Sequence, residues 1–577
     1  MRGPARRMAA AHRAVRRRRV IVALAAWLPA WAPELHAQVS PNLSPGALPN
    51  AGSVLREQQQ QIPPPPPAGI QLQIAPQRTP VPSGQPGGIR FAVSGFELSG
   101  NTVIATSTLL ALVQDETGPA RSLDDLDAAA ARITAYYRAH GYLVAQAYVP
   151  PQEIANGVVR IAIAEGHYGE IRIVNQSRTR DAVLARFASA ARLGDVLDEQ
   201  RLERATLLMQ DASGTTGAKA VVSSGAAPGT SDLAFEIPAA PPLAGSVQID
   251  NYGESSTGTA RLVGALQWNN PLGFGDRLTA RALTSVTGQT YGDVDYTVPL
   301  GGSGLAWGVG YARSTYVVGG QFSSLDAHGS ANVVSTFFAY PLLRTNVANV
   351  LVTLGVDHKI LADDLGAFDT ADDRTSDVAQ LRLSGNLTSA TSFSSFDVSG
   401  QQGNLRQRNA TPQEVIAQTA GAFSKFVYAF THTQALGGST QLYLSVNGQQ
   451  SSRNLDSAEQ ISLGGPFAVR AYATGVGAVD EGYVATLELR QSIRQSAVPV
   501  LITLIGFLDT GDGTWVVHPY AAGSNHVRLS GAGVGAWLNA PGNYSLKVSY
   551  AHTLGYVPST AGAGHANRVW ATLAKSF

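Results

Sequence analysis

The longest apolar run outside the N-terminus is AVPVLITLIGFL, residues 497–508. This run is too short for a membrane helix, which needs about 20 residues, but long enough for a membrane strand, which needs about 9 to 11. Because strand side chains alternate between two faces, Thr503, Ile505, Phe507 and Asp509 share one face. The sequence therefore predicts a membrane strand that ends at Asp509, whose carboxylate needs a cationic partner.

Similar alternation recurs throughout residues 244–577, in short stretches separated by Gly, Asn, Asp and Ser. Leu442 and Leu444, for example, alternate with Tyr443 and Ser445. One lipid-facing and one wet face per strand is the signature of a membrane β-barrel. With 16 strands, each strand and its connection would have roughly 21 residues, against about 10 for the strand itself, so sixteen antiparallel strands fit the length.

A long loop precedes another predicted strand. From Gly482 onward the chain alternates, so that Val484, Thr486, Glu488 and Arg490 share a face. Upstream, the Gly-rich and Ala-rich run beginning at residue 461 has neither the strand nor the helix period. This run is predicted to be a loop that leads into the strand.

The string Gly-Gly-x-x-x-Val-Arg-x-Tyr in this loop is followed about forty residues later by Phe-Leu-Asp-Thr-Gly. Together they resemble the paired signature of two-partner secretion outer-membrane transporters, the TpsB-type haemolysin and filamentous-haemagglutinin secretion family of the POTRA-plus-barrel superfamily. The residues that carry the match are Gly464, Gly465, Val469, Arg470, Tyr472, Phe507, Asp509 and Gly511.

The resemblance implies a barrel of sixteen strands in which the loop folds back inside and Arg470 pairs with Asp509 on the inner wall. An ion pair in a wet lumen stabilises by only about 0–1 kcal/mol, so the pair would hold the loop in place rather than hold the barrel together. Ala471 departs from the family pattern, which usually has Gly after the Arg. If that position required a positive φ, Ala would be strained there.

The N-terminus has the pattern of a secretory signal peptide over residues 1–37, with eight Arg followed by an apolar stretch and a small residue before Gln38. Without it, 34 basic and 40 acidic residues remain, a net charge of about −6. The formal net charge of +1 for the full chain therefore comes from the arginines of the signal peptide. It does not indicate a nucleic-acid partner.

Residues 38–88 are rich in Pro and Gln. Residues 51–62 are compatible with a helix, and the five prolines that follow forbid its continuation. One interpretation is a disordered leader. The other, implied by the resemblance, is a plug helix at 38–62 inside the barrel on a linker at 63–88, which would span up to roughly 80 Å if extended.

Between residues 89 and 243 a strand, short helix, long helix, strand, strand order occurs twice, which predicts two α+β modules at 89–166 and 167–243. In the first, Ser122 and Asp125 are predicted to cap the long helix. The first module resembles a polypeptide-transport-associated (POTRA) domain. Its candidate recognition residues are Tyr137, Gly141, Tyr142, Val149 and Pro150, which on their own pattern are core and turn residues. Recognition would then use an exposed strand edge that a passing chain joins by β-augmentation.

Two further matches lie in the barrel region. Residues 250–253 and 270–276 resemble the family's first hairpin, and the terminal Phe577 resembles the signal for outer-membrane assembly. Lys575 departs from the apolar residue that is usual two places before the end.

Other chemistry is poorly represented. The chain has no Cys, which removes thiolate metal sites, disulfides and Cys nucleophiles. It has no HExxH, Gly-rich phosphate loop or nucleophile elbow, so we expect no enzyme activity, no catalytic residue, no metal and no cofactor. Residues 362–377 hold six Asp without EF-hand spacing, and a solvated extracellular loop is the favoured interpretation over a calcium site.

These observations predict a pore in the Gram-negative outer membrane, with the modules in the periplasm, that exports a secreted partner without nucleotide hydrolysis (two-partner, type V secretion). Expected partners are an exoprotein of the adhesin or haemolysin type, the barrel-assembly machinery, and outer-membrane lipid or lipopolysaccharide. The alternatives are an assembly factor of the same superfamily, which would typically carry a different number of modules, and a passive porin, which would have no reason for the repeat at 89–243.

Overall fold

The computed structural model describes residues 49–59, 71–74, 90–227, 229–410, 412–494, 499–555 and 566–577. The predicted signal peptide and most of the predicted linker lie outside these residues. Within them, no helix is both long enough and apolar enough to cross a membrane.

Two small α+β modules precede the barrel. The elements up to the end of the first module are α1 (Ala51–Gln59), β1 (Gln71–Ile74), β2 (Phe91–Val93), β3 (Gly95–Ser99), α2 (Thr106–Ala111), β4 (Gly118–Arg121), α3 (Leu123–Ala139), β5 (Gln146–Tyr148) and β6 (Val158–Ala164). Those of the second are β7 (His167–Asn175), α4 (Asp181–Ala188), α5 (Glu199–Ser213), β8 (Lys219–Ser224) and β9 (Thr230–Ile237). Apart from β2 and β4, which form a separate two-stranded sheet in the first module, the order of elements is the repeated one that the sequence predicts.

Helix α3 shows how local sequence sets these elements. The Ser122 hydroxyl accepts a hydrogen bond from the Asp125 N–H, and the Asp125 carboxylate accepts one from the Ser122 N–H, which confirms the predicted capping box. Leu126, Ile133 and Tyr137 form its buried face. The capped helix therefore packs on the three-stranded sheet β3-β6-β5.

Sixteen antiparallel strands form one closed barrel, as predicted. They are β10 (Leu243–Asp250), β11 (Arg261–Asn269), β12 (Arg277–Ser285), β13 (Thr290–Pro299), β14 (Ala306–Val317), β15 (Ala327–Arg344), β16 (Ala348–Leu365), β17 (Thr370–Thr388), β18 (Ser392–Gln407), β19 (Gly421–Gly437), β20 (Thr440–Ser451), β23 (Glu481–Arg494), β24 (Leu501–Thr514), β25 (His526–Ala540), β26 (Tyr544–Thr553) and β27 (Asn567–Ser576). The short strands β21 (Ile461–Ser462) and β22 (Ala478–Val479) pair with each other in the loop before β23, and α6 (Pro412–Ala417) lies in the loop before β19.

Strand β24 alternates as the sequence predicts, with Thr503, Ile505 and Phe507 buried and Leu504 and Leu508 exposed. The prediction that the strand ends at Asp509 is wrong. The strand continues to Thr514 because the small residues after Asp509 stay paired with β23 and β25. Asp509 therefore lies well inside the strand.

The barrel closes where β10 pairs with β27. Beyond the ladder, Phe577 and Gly245 exchange two backbone hydrogen bonds of 3.0 Å. A Cβ on Gly245 would lie 2.6 Å from the Phe577 ring, so glycine makes room for the terminal aromatic side chain. The Lys575 ammonium donates to the Gly542 carbonyl and lies 4.6 Å from the Tyr544 ring centroid, which gives this unusual cation polar and aromatic partners at the strand end.

One end of the barrel lies against the second module. In the turn between β11 and β12, the Gly273 carbonyl accepts from the Arg180 N–H at 3.0 Å, and the Arg180 guanidinium lies 4.3 Å from the Phe274 ring centroid. On β15, Arg344 forms a 2.8 Å ion pair with Asp211 of α5. The loop of residues 452–480, between β20 and β23, belongs to the opposite end and folds into the lumen.

Candidate functional site

Arg470 lies on the infolded loop of residues 452–480 and is bound to the barrel wall. Its Nη2 and Nε donate to the two carboxylate oxygens of Asp509 at 2.7 and 2.8 Å, and its backbone N–H donates to Asp509 Oδ2 at 3.1 Å. The guanidinium carbon lies 3.5 Å from the centroid of the Phe507 ring. The loop is thus held by a forked ion pair, a backbone bond and an aromatic face.

A second carboxylate completes the site. Arg470 Nη1 donates to Glu488 Oε1 at 2.6 Å, and the other oxygen of Glu488 accepts from Arg490 at 2.7 Å. Two arginines therefore alternate with two carboxylates on the inner wall. Alternation places Glu488 and Arg490 on one face with Thr486, but the sequence analysis did not identify Glu488 as a partner of Arg470, although an acidic residue on that face was an available signal.

The ion pair is not in a wet environment, so the expectation of a hydrated, weak pair is wrong. The Asp509 side chain is fully buried, and only 12% of the Arg470 side chain is exposed. The indole of Trp570 donates to the Arg470 carbonyl at 2.7 Å, and the Thr486 hydroxyl donates to Asp509 at 3.0 Å. Loop and wall therefore pack closely around the pair, although Arg470 keeps a small exposed fraction.

Ala471 fits without strain. Its φ is not among the positive values found in the described residues, so the position does not require glycine. A Cβ added to Gly531 on β25 would lie 2.6 Å from the Ala471 methyl group, so Gly531 provides the space that this methyl occupies. Ala471 is buried, and the loop at this position packs against a glycine on the wall.

The other residues of the paired signature form the packing around Arg470. Val469 and Tyr472 are buried with Phe507 in one apolar cluster. Gly464 lies where a Cβ would approach the Ala473 carbonyl to 2.8 Å, and Gly511 lies where a Cβ would meet Val469 at 3.1 Å. Gly465 has a φ of +132°. Each of these glycines therefore permits either a close approach or an unusual backbone conformation.

Helix α1 lies inside the barrel against β14, β15 and β16. Ala51, Val54 and Leu55 are buried in a cluster with inward side chains of these strands. The expected helix runs to residue 62; the structure describes it over Ala51–Gln59, and residues 60–62 lie outside the described part of the chain. The polar side chain of Gln58 is buried.

Polar contacts bind α1 to the wall and to the infolded loop. Glu57 pairs with Arg261 at 2.9 Å, and Arg261 also pairs with Asp250 at 2.8 Å. Arg56 donates to the Ser457 carbonyl at 2.7 Å. A Cβ on Gly52 would lie 2.6 Å from the Ala458 nitrogen, so the helix and the loop touch backbone to backbone.

The acidic segment 362–377 is not a solvated loop, so that expectation is wrong. Most of it belongs to β16 and β17, and Asp363 and Asp372 both pair with the buried Arg374. Asp456 of the infolded loop also binds Arg374, at 2.5 Å, while Asp363 accepts from the N–H of Ala51 at 2.7 Å. This network joins α1, the loop and two strands around one guanidinium.

In the first module, Tyr137 is buried and donates to Glu165 at 2.7 Å. Burial of the Glu165 carboxyl opposes ionisation, but hydrogen bonds from Thr102, Val103 and Tyr137 outweigh burial and lower the pKa of Glu165. Gly141 has a φ of +88°, and its carbonyl accepts from the Glu199 N–H of the second module at 2.9 Å.

Tyr142, Val149 and Pro150 are partly exposed. Tyr142 lies edge-on to Tyr137 with a centroid separation of 5.8 Å. Among the five candidate recognition residues, these three and Gly141 thus have surface that a passing chain can touch, whereas Tyr137 belongs to the core.

The lumen contains a cavity of about 1670 Å³. Leu208 and Asp211 of the second module line it at one end, and Glu57 of α1 with Phe467 and Arg470 of the infolded loop line it elsewhere. The cavity therefore connects the module side of the barrel to the two internal segments. Within the described residues, no group of three or more His, Asp or Glu side chains is arranged to hold a metal ion.

A closed sixteen-stranded barrel with POTRA-type modules at one end and a loop tied to its inner wall is the architecture of an outer-membrane protein transporter. The chain belongs to the haemolysin secretion/activation protein family ShlB/FhaC/HecB, which matches residues 229–538, and residues 91–166 match the ShlB-type POTRA domain. It is a two-partner secretion transporter of the outer membrane, with periplasmic modules, that translocates a secreted partner protein.

Several known proteins are similar to it. The heme/hemopexin transporter protein HuxB of Haemophilus influenzae is 27% identical over 83% of this chain and 85% of the relative. The outer membrane transporter CdiB of Escherichia coli is 27% identical over 49% of each chain. The solved structure of CdiB from Escherichia coli superimposes with a TM-score of 0.70 at 21% identity, over 87% of this chain and 93% of that one, which shows a shared fold.

Proposed function

We propose that this transporter exports a large exoprotein of the adhesin or haemolysin type, which crosses the barrel as an unfolded chain. The observation that carries the proposal is the lumenal cavity of about 1670 Å³, bounded by the second module at one end and lined by α1 and the infolded loop. An extended polypeptide entering from the periplasm would meet these elements in that order.

The Arg470–Asp509 pair is proposed to lock the loop to the wall during export. Support comes from the fork of two bonds at 2.7 and 2.8 Å and from the second carboxylate, Glu488. Removing one member of a buried pair leaves an uncompensated charge. The lock thus gives the loop one strongly preferred position beside the path of the substrate.

Helix α1 is proposed to act as the plug of the resting pore. Its apolar residues Val54 and Leu55 are buried against the wall, and Glu57 pairs with Arg261. A sixteen-stranded barrel leaves an aqueous channel unless its lumen is filled. The helix occupies space through which ions would otherwise pass.

The modules at 89–166 and 167–243 are proposed to receive the partner. The barrel is proposed to be inserted into the membrane by the assembly machinery, which would act on its terminal strand and Phe577. The exposed belt of apolar strand residues, such as Leu354, Val356 and Leu381, suits contact with lipid and the lipid part of lipopolysaccharide. The proposed mechanism includes no catalysis, and folding of the partner outside the cell would favour release.

The test is export of a candidate partner co-expressed with the transporter. Intact partner should accumulate in the medium or on the cell surface with the unmodified chain and remain in the periplasm with an empty vector. An exoprotein that reaches the surface equally in both strains is not a substrate of this transporter.

A further inference from the structure

Four side chains form a row of alternating rings and cations on the inner wall of the barrel, which we call the cation–aromatic ladder. The Arg490 guanidinium carbon lies 3.8 Å from the centroid of the Tyr443 ring and 4.7 Å from that of the Trp537 ring. The Lys547 ammonium lies 5.1 Å from the same Trp537 ring. Because β23 and β26 lie on opposite sides of β25 in the strand order, the indole has a cation from each side.

The ladder lies at the module end of the lumen, and its four members line the cavity of about 1670 Å³. Arg490 is close to the end of β23, and Lys547 is close to the start of β26. The infolded loop joins β20 to β23 at the other end of the barrel, so these strand ends are on the module side. Asp509 lies opposite Thr486, further from that side. A chain that enters from the periplasm therefore meets the ladder before it reaches the Arg470–Asp509 pair.

Arg490 has hydrogen-bond donors that the barrel does not use. Its Nε donates to Glu488 Oε2 at 2.8 Å, and its Nη2 lies 2.7 Å from the same oxygen. The two N–H groups of its Nη1 have no hydrogen-bond partner within the residues that the structure describes. Since the rings of Tyr443 and Trp537 already face cations, the groups that the ladder offers to a passing chain are N–H donors. Such donors on a cation match a carboxylate.

The charges of the wall around the ladder do not balance. Arg470 and Arg490 are matched by Asp509 and Glu488. Lys547 is a third cation that is exposed to the cavity, and no carboxylate of the described part of the chain lies within ion-pair distance of its ammonium. Its positive charge is therefore available to an anion in the lumen.

We propose that the cation–aromatic ladder binds acidic side chains of the exported polypeptide as the extended chain enters the lumen. Aspartate and glutamate side chains of that polypeptide would accept hydrogen bonds from the Lys547 ammonium and from Nη1 of Arg490. This proposal rests on the export function and names the chemistry of the segments that the lumen guides.

The exposure of the ladder suits a chain in transit. An exposed ion pair is weak, because water and salt screen it. A conducting path needs contacts that favour entry and still permit release. The ladder is also joined to the lock, because Glu488 contacts Arg490 through one carboxylate oxygen and Arg470 through the other. The substrate would thus make an early contact beside the group that holds the infolded loop.

Peptide binding to the purified full chain tests the preference for acidic side chains. The probes are two labelled peptides, four repeats of Gly-Ser-Glu-Ser and four repeats of Gly-Ser-Gln-Ser, which differ in charge alone. At low salt the acidic peptide should bind the unmodified chain at least about threefold more tightly. Lys547→Gln should remove most of this preference, and Lys547→Arg should retain it because the positive charge is kept.

Lys575→Gln is the matched control. Lys575 also has its ammonium beside an aromatic ring near the module end of the barrel, 4.6 Å from the Tyr544 centroid, but it does not line the described cavity. This control should keep the preference for the acidic peptide. Equal affinity of both peptides for the unmodified chain, or an unchanged preference in Lys547→Gln, would overturn the proposal. An equal loss of preference in Lys575→Gln would also overturn it, because total charge would then decide binding.

Photocrosslinking in cells tests whether the substrate passes the ladder. Ser549 lines the same cavity and follows Lys547 on the same face of β26, so a photoreactive residue at position 549 leaves the ladder intact. With a co-expressed partner, this probe should capture the partner in transit, and Lys547→Gln should lower the yield at least about threefold.

The outcomes of the crosslinking experiment separate the ladder from the export function. Export of the partner without a crosslink at position 549, or with a yield that Lys547→Gln does not change, would overturn the ladder proposal while the export function stands. Absence of export by the unmodified chain would contradict the export function itself, and the peptide measurement would still decide whether the ladder binds acidic chains.

Discussion

At the scale of single residues, the central feature is the charge balance around Arg470. Arg470 and Arg490 face Asp509 and Glu488, and Arg490 also lies 3.8 Å from the centroid of the Tyr443 ring. Burial makes each charge costly unless it is paired. The group is therefore stable as a unit and sensitive to the loss of any one member.

Arg470→Ala should abolish most export while leaving a folded barrel. The variant leaves Asp509 and Glu488 without their shared cation, and breaking a buried pair costs about 3–5 kcal/mol. We expect the loop to leave the wall, which relieves this cost. The barrel stays folded because its strands keep their backbone hydrogen bonds. Heat-modifiability on gels measures whether the barrel is folded, and release of the partner measures export.

Arg470→Lys is the matched control for charge, because Lys keeps the cation but cannot bind the carboxylate with a fork. We expect export between that of Arg470→Ala and the unmodified chain. Unaltered export in both Arg470→Ala and Asp509→Ala would show that the pair is not a lock.

Gly531→Ala should displace the loop through a single methyl group. The new Cβ would lie 2.6 Å from that of Ala471, closer than carbon atoms approach. Export should fall, and the double variant Gly531→Ala, Ala471→Gly should recover it, because the second change restores the space. Export assays on the two single variants and the double variant decide this, and failure of the double variant to recover would contradict the packing explanation.

At the scale of elements, alternation predicted that Ile505 and Phe507 share one face of β24, and that face is the buried one. It did not predict the end of the strand, because Gly511 and Gly513 favour a turn unless neighbouring strands pair with them. Asp363 and Asp372 were misassigned for a related reason. Their partner Arg374 is local, but Asp456 comes from another loop, and periodicity carries no information about such pairing.

A proline in the exposed edge strand of the first module, β3, should weaken capture of the partner, because it removes a backbone donor with which an extended chain can pair. Within residues 90–227, β3 pairs with β6 alone. The Ser94 N–H donates to Gly157 at 2.7 Å, so alternation turns the Glu97 N–H away from β6. Glu97→Pro therefore removes an outward donor and should lower binding of the partner's N-terminal segment.

Glu97→Ala is the control for the side chain. It removes the exposed 3.5 Å ion pair with Arg160 and keeps the N–H. Binding to the purified full chain should be unchanged in Glu97→Ala and reduced in Glu97→Pro, with the same thermal unfolding of both. Equal binding by all three chains would count against a role for this edge.

At the scale of the whole molecule, the three-part organisation was predictable because each part has its own period or composition. The contacts between the parts were not predictable from the sequence. Asn50 accepts from Ser457, and Glu57 pairs with Arg261, across 407 and 204 residues of sequence. Such pairs depend on how α1 and the infolded loop fill one lumen, and neither segment shows this in its own sequence.

The same contacts suggest that the plug is held only moderately. Burial of Val54 and Leu55 stabilises α1 by about 1.5–3 kcal/mol for each side chain. Against this, the Gln58 side-chain amide is buried with no hydrogen-bond partner among the described residues, which costs about 1–3 kcal/mol. A helix with this balance can remain in the lumen at rest and leave when substrate arrives.

Deletion of residues 38–62 should therefore raise single-channel conductance in planar bilayers and sensitise cells to large antibiotics, while export persists at least in part. Gly52→Val should have the same effect without deleting anything, because its side chain has no room beside Ser457 and Ala458. Gln59→Ala, a change at an exposed position of α1, is the matched control and should leave conductance unchanged. If conductance is the same with and without residues 38–62, α1 does not close the pore, and the alternative of a leader without a plugging role would be correct.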